Sequence, residues 1–461
     1  MPSTVERRFR NRTGKALYTV TTKSPAAAHS PETDEKARYE ELATGVRGDG
    51  PRGTVVFVVS TSDLTEGKGD LYVAMGLGKY LNRLGWGVQT WPMGSWGQEL
   101  PERTSVVITM VDAFIPGFVP PGAVRIAWVR NWTDNWAALP YLRSFDEIWT
   151  SSTPSREVLQ KNFDGTIRIV PIAGDHELFY PAETASDLAI VTTANGWGSD
   201  RELSSAVDAL APGRNVDWYG SVSAATSPRN VRHHGPEDYF TLSSIYNRAQ
   251  LVLDDLIPAA KAYGNHNSRL FESLLSGALT LVNTADGLEE LGLADVPVYS
   301  HADELEPLVE SLLADDTRRQ ELAARLRAVV LERHTFEVRA NELSPALEAL
   351  VEQHRTRSER DPILEWSAGE RALLIGTQVQ RDTETRRADG LTRELALSQR
   401  ELALSRRELV ALRQELSKSE ARIVERDERI TEILSTTSFQ IAVGIQKLAS
   451  APRSLRNRLK G

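Results

Sequence analysis

Apolar and polar positions divide this chain into three textures. Residues 1–50 show no sustained period, and Pro25, Pro31 and the polar run 32–36 predict a flexible lead-in, with at most a short helix over 38–43. From Thr54 the texture changes. Val55, Val56, Phe57, Val58 and Val59 form a continuous apolar run, the pattern of a strand covered on both faces. Leu71, Ala74, Leu77, Leu81 and Leu84 then recur at helical spacing. Similar runs predict strands at 88–91, 106–110, 125–129, 147–150, 188–192, 216–219, 251–253, 279–282 and 296–299, with helices over 201–210, 268–275 and most of 301–350. Strands alternating with helices imply parallel sheets joined by right-handed crossovers. The pattern pauses at 170–176 and restarts. This predicts an α/β chain of two Rossmann-like domains, 51–175 and 176–355, facing across a cleft with a hinge near 171–182.

The third texture follows Pro362. Leu395, Leu402, Leu409, Leu416, Ile423 and Ile430 are seven residues apart without exception, which predicts a coiled coil over 365–435 and a homodimer through 380–435. The second seam of that heptad is poor: Ser398, Ser405, Leu412, Ser419, Arg426 and Ile433. A long solvated helix packing on one side is the alternative. Residues 436–461 contain no acid, carry five basic side chains and place Ile441, Ile445 and Leu448 on one helical face. Such a tail suits an anionic membrane surface, or is simply frayed and solvated.

Composition narrows the classes. The net charge of −9 argues against a nucleic-acid partner. With no cysteine in the chain, disulfides and thiolate chemistry are excluded. No apolar run is long enough for a transmembrane helix, and the N-terminus lacks a signal-peptide core. The expected location is cytoplasmic, with peripheral attachment to the inner membrane face through the tail.

Chemistry-bearing residues gather at predicted strand ends, where open α/β sheets bind ligands. Asn267, Ser268 and Arg269 open the 268–275 helix, whose free N–H groups and partial positive charge suit phosphate. Arg269 adds a guanidinium fork, and Glu272 one turn on can accept hydroxyls, or be a helix-start acid favoured by the dipole. His266 beside this turn is a phosphate contact or a surface histidine. Gly67, Lys68 and Gly69 follow the first apolar strand and allow close backbone approach, or form an ordinary turn. Trp128, Arg130, Asn131, Trp132, Asp134 and Trp136 follow another strand, as a sugar-stacking cleft or as core tryptophans; Asp112 has a similar location. Asp112 and Asp134 are the candidate catalytic acids. His233, His234 and His266 lack metal-site spacing, so no metal is expected.

The segment Arg-Leu-Phe-Glu-Ser-Leu-Leu-Ser-Gly-Ala (269–278), with Asn-Thr-Ala-Asp-Gly-Leu-Glu-Glu-Leu (283–291), resembles the donor-site segment of GT-B glycosyltransferases, closest to the branch with spore-maturation-type proteins. Residues 245–249 and 173–181 carry the same resemblance. It implies a GT-B fold and a nucleotide diphosphate sugar as co-substrate, with no separate cofactor. It further implies metal-independent transfer with retention of configuration to a glycan or lipid-linked acceptor of the cell envelope. Glu272 would contact the ribose, with His266, Asn267, Ser268, Arg269, Gly196, Arg201 and Tyr219 around the donor. Many relatives carry a second glutamate eight positions earlier, where this chain has Gly264. That departure keeps a second reading open: a non-catalytic GT-B scaffold that recruits partners through its coiled coil.

Overall fold

The computed structural model describes residues 4–10, 16–23, 31–101, 103–195, 201–221 and 228–450. Strands β1 (Thr4–Arg10) and β2 (Ala16–Lys23) pair antiparallel. Helix α1 (Pro31–Ala43) then packs on the globular body with Tyr39 and Leu42 buried. The flexible lead-in expected over 1–50 is therefore corrected: from residue 31 the chain belongs to the fold. Few apolar residues mark α1, and its side chains are held by buried charges that come from far along the chain.

The first sheet contains β3 (Thr54–Val59), β4 (Gly87–Pro92), β5 (Thr104–Thr109), β6 (Val124–Val129), β7 (Glu147–Thr150) and β8 (Thr166–Ile169). All are parallel, in the order β4-β3-β5-β6-β7-β8. Helices α2 (Gly69–Arg83), α3 (Thr133–Ala137) and α4 (Thr153–Leu159) connect them. The apolar run of β3 has a physical reason. Val55, Phe57 and Val59 face the core beneath α2, while Val56 and Val58 face a second core with Trp91, Trp96 and Phe114.

The second sheet contains β9 (Leu188–Thr192), β10 (Val216–Tyr219), β11 (Val231–Gly235), β12 (Ala249–Leu253) and β13 (Leu279–Leu281), parallel in the order β11-β10-β9-β12-β13. Its helices include α5 (Glu202–Asp208), α6 (Leu242–Arg248), α7 (Pro258–Lys261) and α8 (Ser268–Leu275). The strand expected at 296–299 is only a single bridge between Val282 and Val298.

Helices α9 (Ala302–Ala314), α10 (Asp316–Arg333) and α11 (Phe336–His354) follow. α11 returns to the first domain. The Phe336 ring fills the space beside Gly76 of α2, and Trp86 Nε1 donates to Ser344 Oγ at 2.9 Å. Helix α12 (Pro362–Ser435) starts on the same domain, burying Leu364, Ala368 and Ile375. The compact unit thus ends at Val379, and Gln380 onward forms a unit of its own. In that second unit α12 continues to Ser435, followed by α13 (Thr437–Ser450). The heptad stripe Leu395 to Ile430 is 47–60% exposed at every position. Residues 451–461, which carry most of the basic tail, lie outside the described residues.

The segment expected to hinge is largely buried as far as Phe179. Asp175 accepts hydrogen bonds from Tyr39 at 2.9 Å and Tyr80 at 2.8 Å, and pairs with Lys79 at 2.8 Å. Glu35 and Glu177 complete the shell around Lys79 at 2.5 and 2.9 Å. One apolar core runs through Val170, Ile172, Leu178 and Phe179 into both domains.

Candidate functional site

The carboxyl ends of the two sheets meet. Ser152 Oγ donates to Asn265 Oδ1 at 2.8 Å, Thr153 N–H donates to Glu290 at 3.0 Å, and Tyr263 OH donates to Asp134 Oδ1 at 2.6 Å. These contacts join the loops after β6 and β7 to those flanking α8 and β13.

On the second-domain side, Asn267 caps α8 by accepting the Arg269 N–H at 3.1 Å. Its amide donates to Asp254 at 3.0 Å. Arg269 is corrected as a free phosphate fork: its guanidinium is ion-paired with buried Asp254 and donates from Nε to Thr193 Oγ1 at 2.9 Å. Arg201 is likewise paired, with buried Asp255. Asp254 and Asp255 each retain one buried oxygen without a partner. Neither acid stands out by periodicity, although two adjacent carboxylates just past an apolar strand are a legible signal.

His266 is corrected as a phosphate contact. Its Nε2 lies 2.8 Å from the Asp286 carbonyl oxygen, which can only accept, so Nε2 carries the proton. Burial lowers the ring's pKa and keeps it neutral. The buried, unpartnered Nδ1 is then a lone-pair acceptor, suited to a hydroxyl and not to an oxyanion.

Glu272 is 3% exposed, and Tyr239 OH donates to it at 3.0 Å. Burial raises its pKa to about 7, against the pull of hydrogen bonds from Tyr239 and Ser268 and the field of Arg269. Tyr239 in turn stacks on Tyr72 of α2, with centroids 3.9 Å apart. The Glu272 carboxylate is therefore covered from the first domain. Tyr219 stands apart, stacked on His234 at 4.3 Å. Gly196 lies outside the described residues.

Gly264 explains the missing second glutamate. Its φ is +63°, and a Cβ there would lie 2.7 Å from the Asp286 and Gly287 backbone. Any side chain at 264 clashes with the loop that opposes it, so a glutamate cannot stand there in this fold.

On the first-domain side, Asp112, Arg130, Asn131 and Trp132 come together around one cavity of about 240 Å³ with Ser60 and Asp70. Trp128 is corrected as a cleft residue. Trp128 is fully buried, packs edge-on to Trp149 and donates to Val170 O at 3.0 Å. Trp136 is 2% exposed, packs edge-on to Phe145 and also lines the cavity. Trp132 is 48% exposed at φ +58°, the one non-glycine with positive φ among the described residues. The Gly67–Gly69 loop leads into Asp70, whose carboxylate accepts from Ser60 N–H at 2.6 Å and Ser60 Oγ at 2.8 Å. Gly67 has φ +64°, and the space where a Cβ would point is open at Gly67 and Gly69. Asp134, held by Tyr263, lies outside the cavity. Among the described residues no group of three or more acids or histidines is placed to hold a metal, and no helix is long and apolar enough to cross a membrane.

Residues 200–344 match the family model described as glycosyl transferase-like. No curated protein matches the chain. Among solved structures, the chain is similar to sucrose-phosphate synthase from Thermosynechococcus elongatus, with TM-score 0.50 and 15% identity over 65% of this chain and 99% of that one. It also matches Anabaena HepE, solved with UDP and glucose, with TM-score 0.46 and 12% identity over 64% of this chain and 100% of that one. The two parallel sheets and the likeness to sucrose-phosphate synthase show a GT-B fold, and residues 200–344 within it form a glycosyl transferase-like domain.

Proposed function

We propose that this protein transfers a sugar from a nucleotide diphosphate sugar to a hydroxyl of a glycan or lipid-linked acceptor, without a metal and with retention at the anomeric carbon. The observation that carries the reading is Glu272. It is a buried carboxyl group in the second turn of α8 that accepts a hydrogen bond from the Tyr239 hydroxyl, with the Ser268 hydroxyl also turned toward it. A group built to accept hydroxyls suits ribose, and neutral His266 Nδ1 and the unpartnered oxygens of Asp254 and Asp255 add acceptors nearby. The free N–H groups of α8 would meet the diphosphate. Asp112, in the first-domain cavity, is favoured over Asp134 as the acid that orients the acceptor hydroxyl, because Tyr263 already occupies Asp134.

Thermal stabilisation by a panel of nucleotides and nucleotide sugars tests this. One member should raise the melting temperature of the wild type but not of Glu272→Ala; an equal shift in both sinks the assignment. The Tyr239–Tyr72 stack favours the scaffold as a second reading, because the Tyr239 hydroxyl stands where ribose would bind. Tyr239→Phe discriminates. In an enzyme it leaves donor turnover measurable, whereas a scaffold turns over no nucleotide sugar with either residue. The exposed heptad stripe supports self-association through 380–435, and the apolar face of α13 with the acid-free tail supports peripheral attachment to an anionic inner-membrane surface. Removing 436–461 should abolish binding to anionic vesicles.

A further inference from the structure

The second domain's two cleft arginines are both neutralised. Arg201 is paired with Asp255 and Arg269 with Asp254, each acid fully buried. Arg130, at the carboxyl end of β6, is different. Its side chain forms no ion pair and no hydrogen bond among the described residues, and its Nε is buried without a partner. It lines the cavity after β3, β5 and β6. The Asp70 carboxylate shares that cavity and supports the Arg130 charge through space, but its hydrogen bonds go to Ser60. A guanidinium desolvated without a counter-ion is costly. Its five fixed donors match an oxyanion better than any other partner.

We propose that Arg130 anchors the oxyanion of a hydroxylated substrate in this first-domain cavity, a sugar carrying a phosphate or carboxylate group. The second half of the description comes from the other lining residues. The Asp112 carboxylate has no partner among the described residues, so a bare anion would meet repulsion there. A ligand that turns an oxyanion to Arg130 and a hydroxyl to Asp112 satisfies both. Trp132, exposed beside them, offers a ring face to the sugar. Backbone strain at Trp132, held at φ +58°, marks a position that the local structure over-determines. The inference deepens the transfer reading and rests on it for one point only, the source of the anion: the donor's diphosphate or an acidic acceptor.

The test titrates the full chain with glucose 6-phosphate, glucuronate, UDP-glucose and uncharged glucose, read by calorimetry. For wild type, at least one charged probe should bind and glucose should bind at least tenfold more weakly. In Arg130→Gln the affinity for that probe should fall about 10- to 100-fold, the value of one or two charge-assisted hydrogen bonds. Arg130→Lys, which keeps the charge and loses the fork, should fall between. If the anion belongs to the donor, Arg130→Gln weakens UDP-glucose; if it belongs to the acceptor, UDP-glucose is unchanged and a sugar acid or sugar phosphate is lost. Circular dichroism of each ligand-free variant reports folding, and Arg130→Lys carries the comparison if the glutamine variant unfolds. Equal affinities for every probe in wild type and both variants, or no charged probe bound by folded wild type, overturn the proposal. Binding of a charged sugar through Arg130 in a protein that takes up no nucleotide would instead overturn the transfer reading and leave this site standing.

Discussion

Glu272→Gln isolates the electrostatic cost of the carboxylate buried in α8. Glutamine keeps the size and the acceptor oxygen but cannot ionise. The ordinary value for this carboxyl group is 4.5, and burial raises it to about 7 in the folded protein. A folded-state value above the unfolded one means that stability is complete below the unfolded value and falls as pH rises through the folded one. The interval of roughly 2.5 units corresponds to about 3 kcal/mol at pH 8, at ~1.4 kcal/mol per unit. Near pH 4.5 the same linkage has almost vanished. Glu272→Gln should therefore match wild type in acid and become progressively more stable than it up to about pH 8. Melting temperatures of both proteins across pH 4.5–8.5 read this directly. A difference that is constant with pH would refute the reasoning, since a change in packing or hydrogen bonding does not titrate. A glutamine variant that loses ground as pH rises would mean that the carboxylate is stabilised by its neighbours, and that Tyr239, Ser268 and Arg269 outweigh burial.

Three further perturbations follow from the geometry. Lys79→Met leaves Asp175, Glu35 and Glu177 crowded without their shared cation, and should cost about 3–5 kcal/mol, seen as a large fall in melting temperature that Lys79→Arg lessens. Gly264→Ala introduces both a strained backbone and a 2.7 Å contact with residues 286–287; a loss of about 1–3 kcal/mol is expected, and Gly264→Glu should be no better, so adding the missing glutamate will not improve donor binding. Leu409→Asn with Leu416→Asn places polar groups in the heptad stripe, and light scattering should show a shift from dimer to monomer while the melting temperature of the globular unit stays unchanged.

Much of this molecule was legible in its sequence, for reasons that also define the failures. β7, β9, β10 and α8 fall where their apolar patterns place them, because each is buried on the face or faces that its pattern predicts. β8 and β11 went unread because they are edge strands whose side chains are largely half-buried or exposed, so no run of apolar residues marks them. α1 was read only over its second half, 38–43, because what holds its start is a buried charge cluster contributed by α2 and the segment around Asp175, which only tertiary structure assembles. At the site, residue types were readable and partners were not. Arg269 and Arg201 are donors by type, yet the fold places Asp254 and Asp255 against them. The tryptophans at 128, 132 and 136 share a spacing of four, but the first lies in a strand and faces the core, the second turns outward through a left-handed backbone, and the third lies in α3 between Phe145 and the cavity.

The shell around Lys79 also bears on how exchangeable the two halves of this protein are. Two-domain chains of this fold look modular, and the pause after Val170 invites recombination there, with a first half from one protein joined to a second half from another. In this chain the junction is not neutral ground. The cation is in α2, one acid is in α1, and the other two, Asp175 and Glu177, lie in the joining segment itself. A chimera cut before Asp175 would inherit a buried lysine and lose two of its three counter-charges, whereas a cut after Pro181 would keep them. The practical border between interchangeable parts is thus set by where the charges balance, several residues downstream of where the hydrophobic pattern breaks.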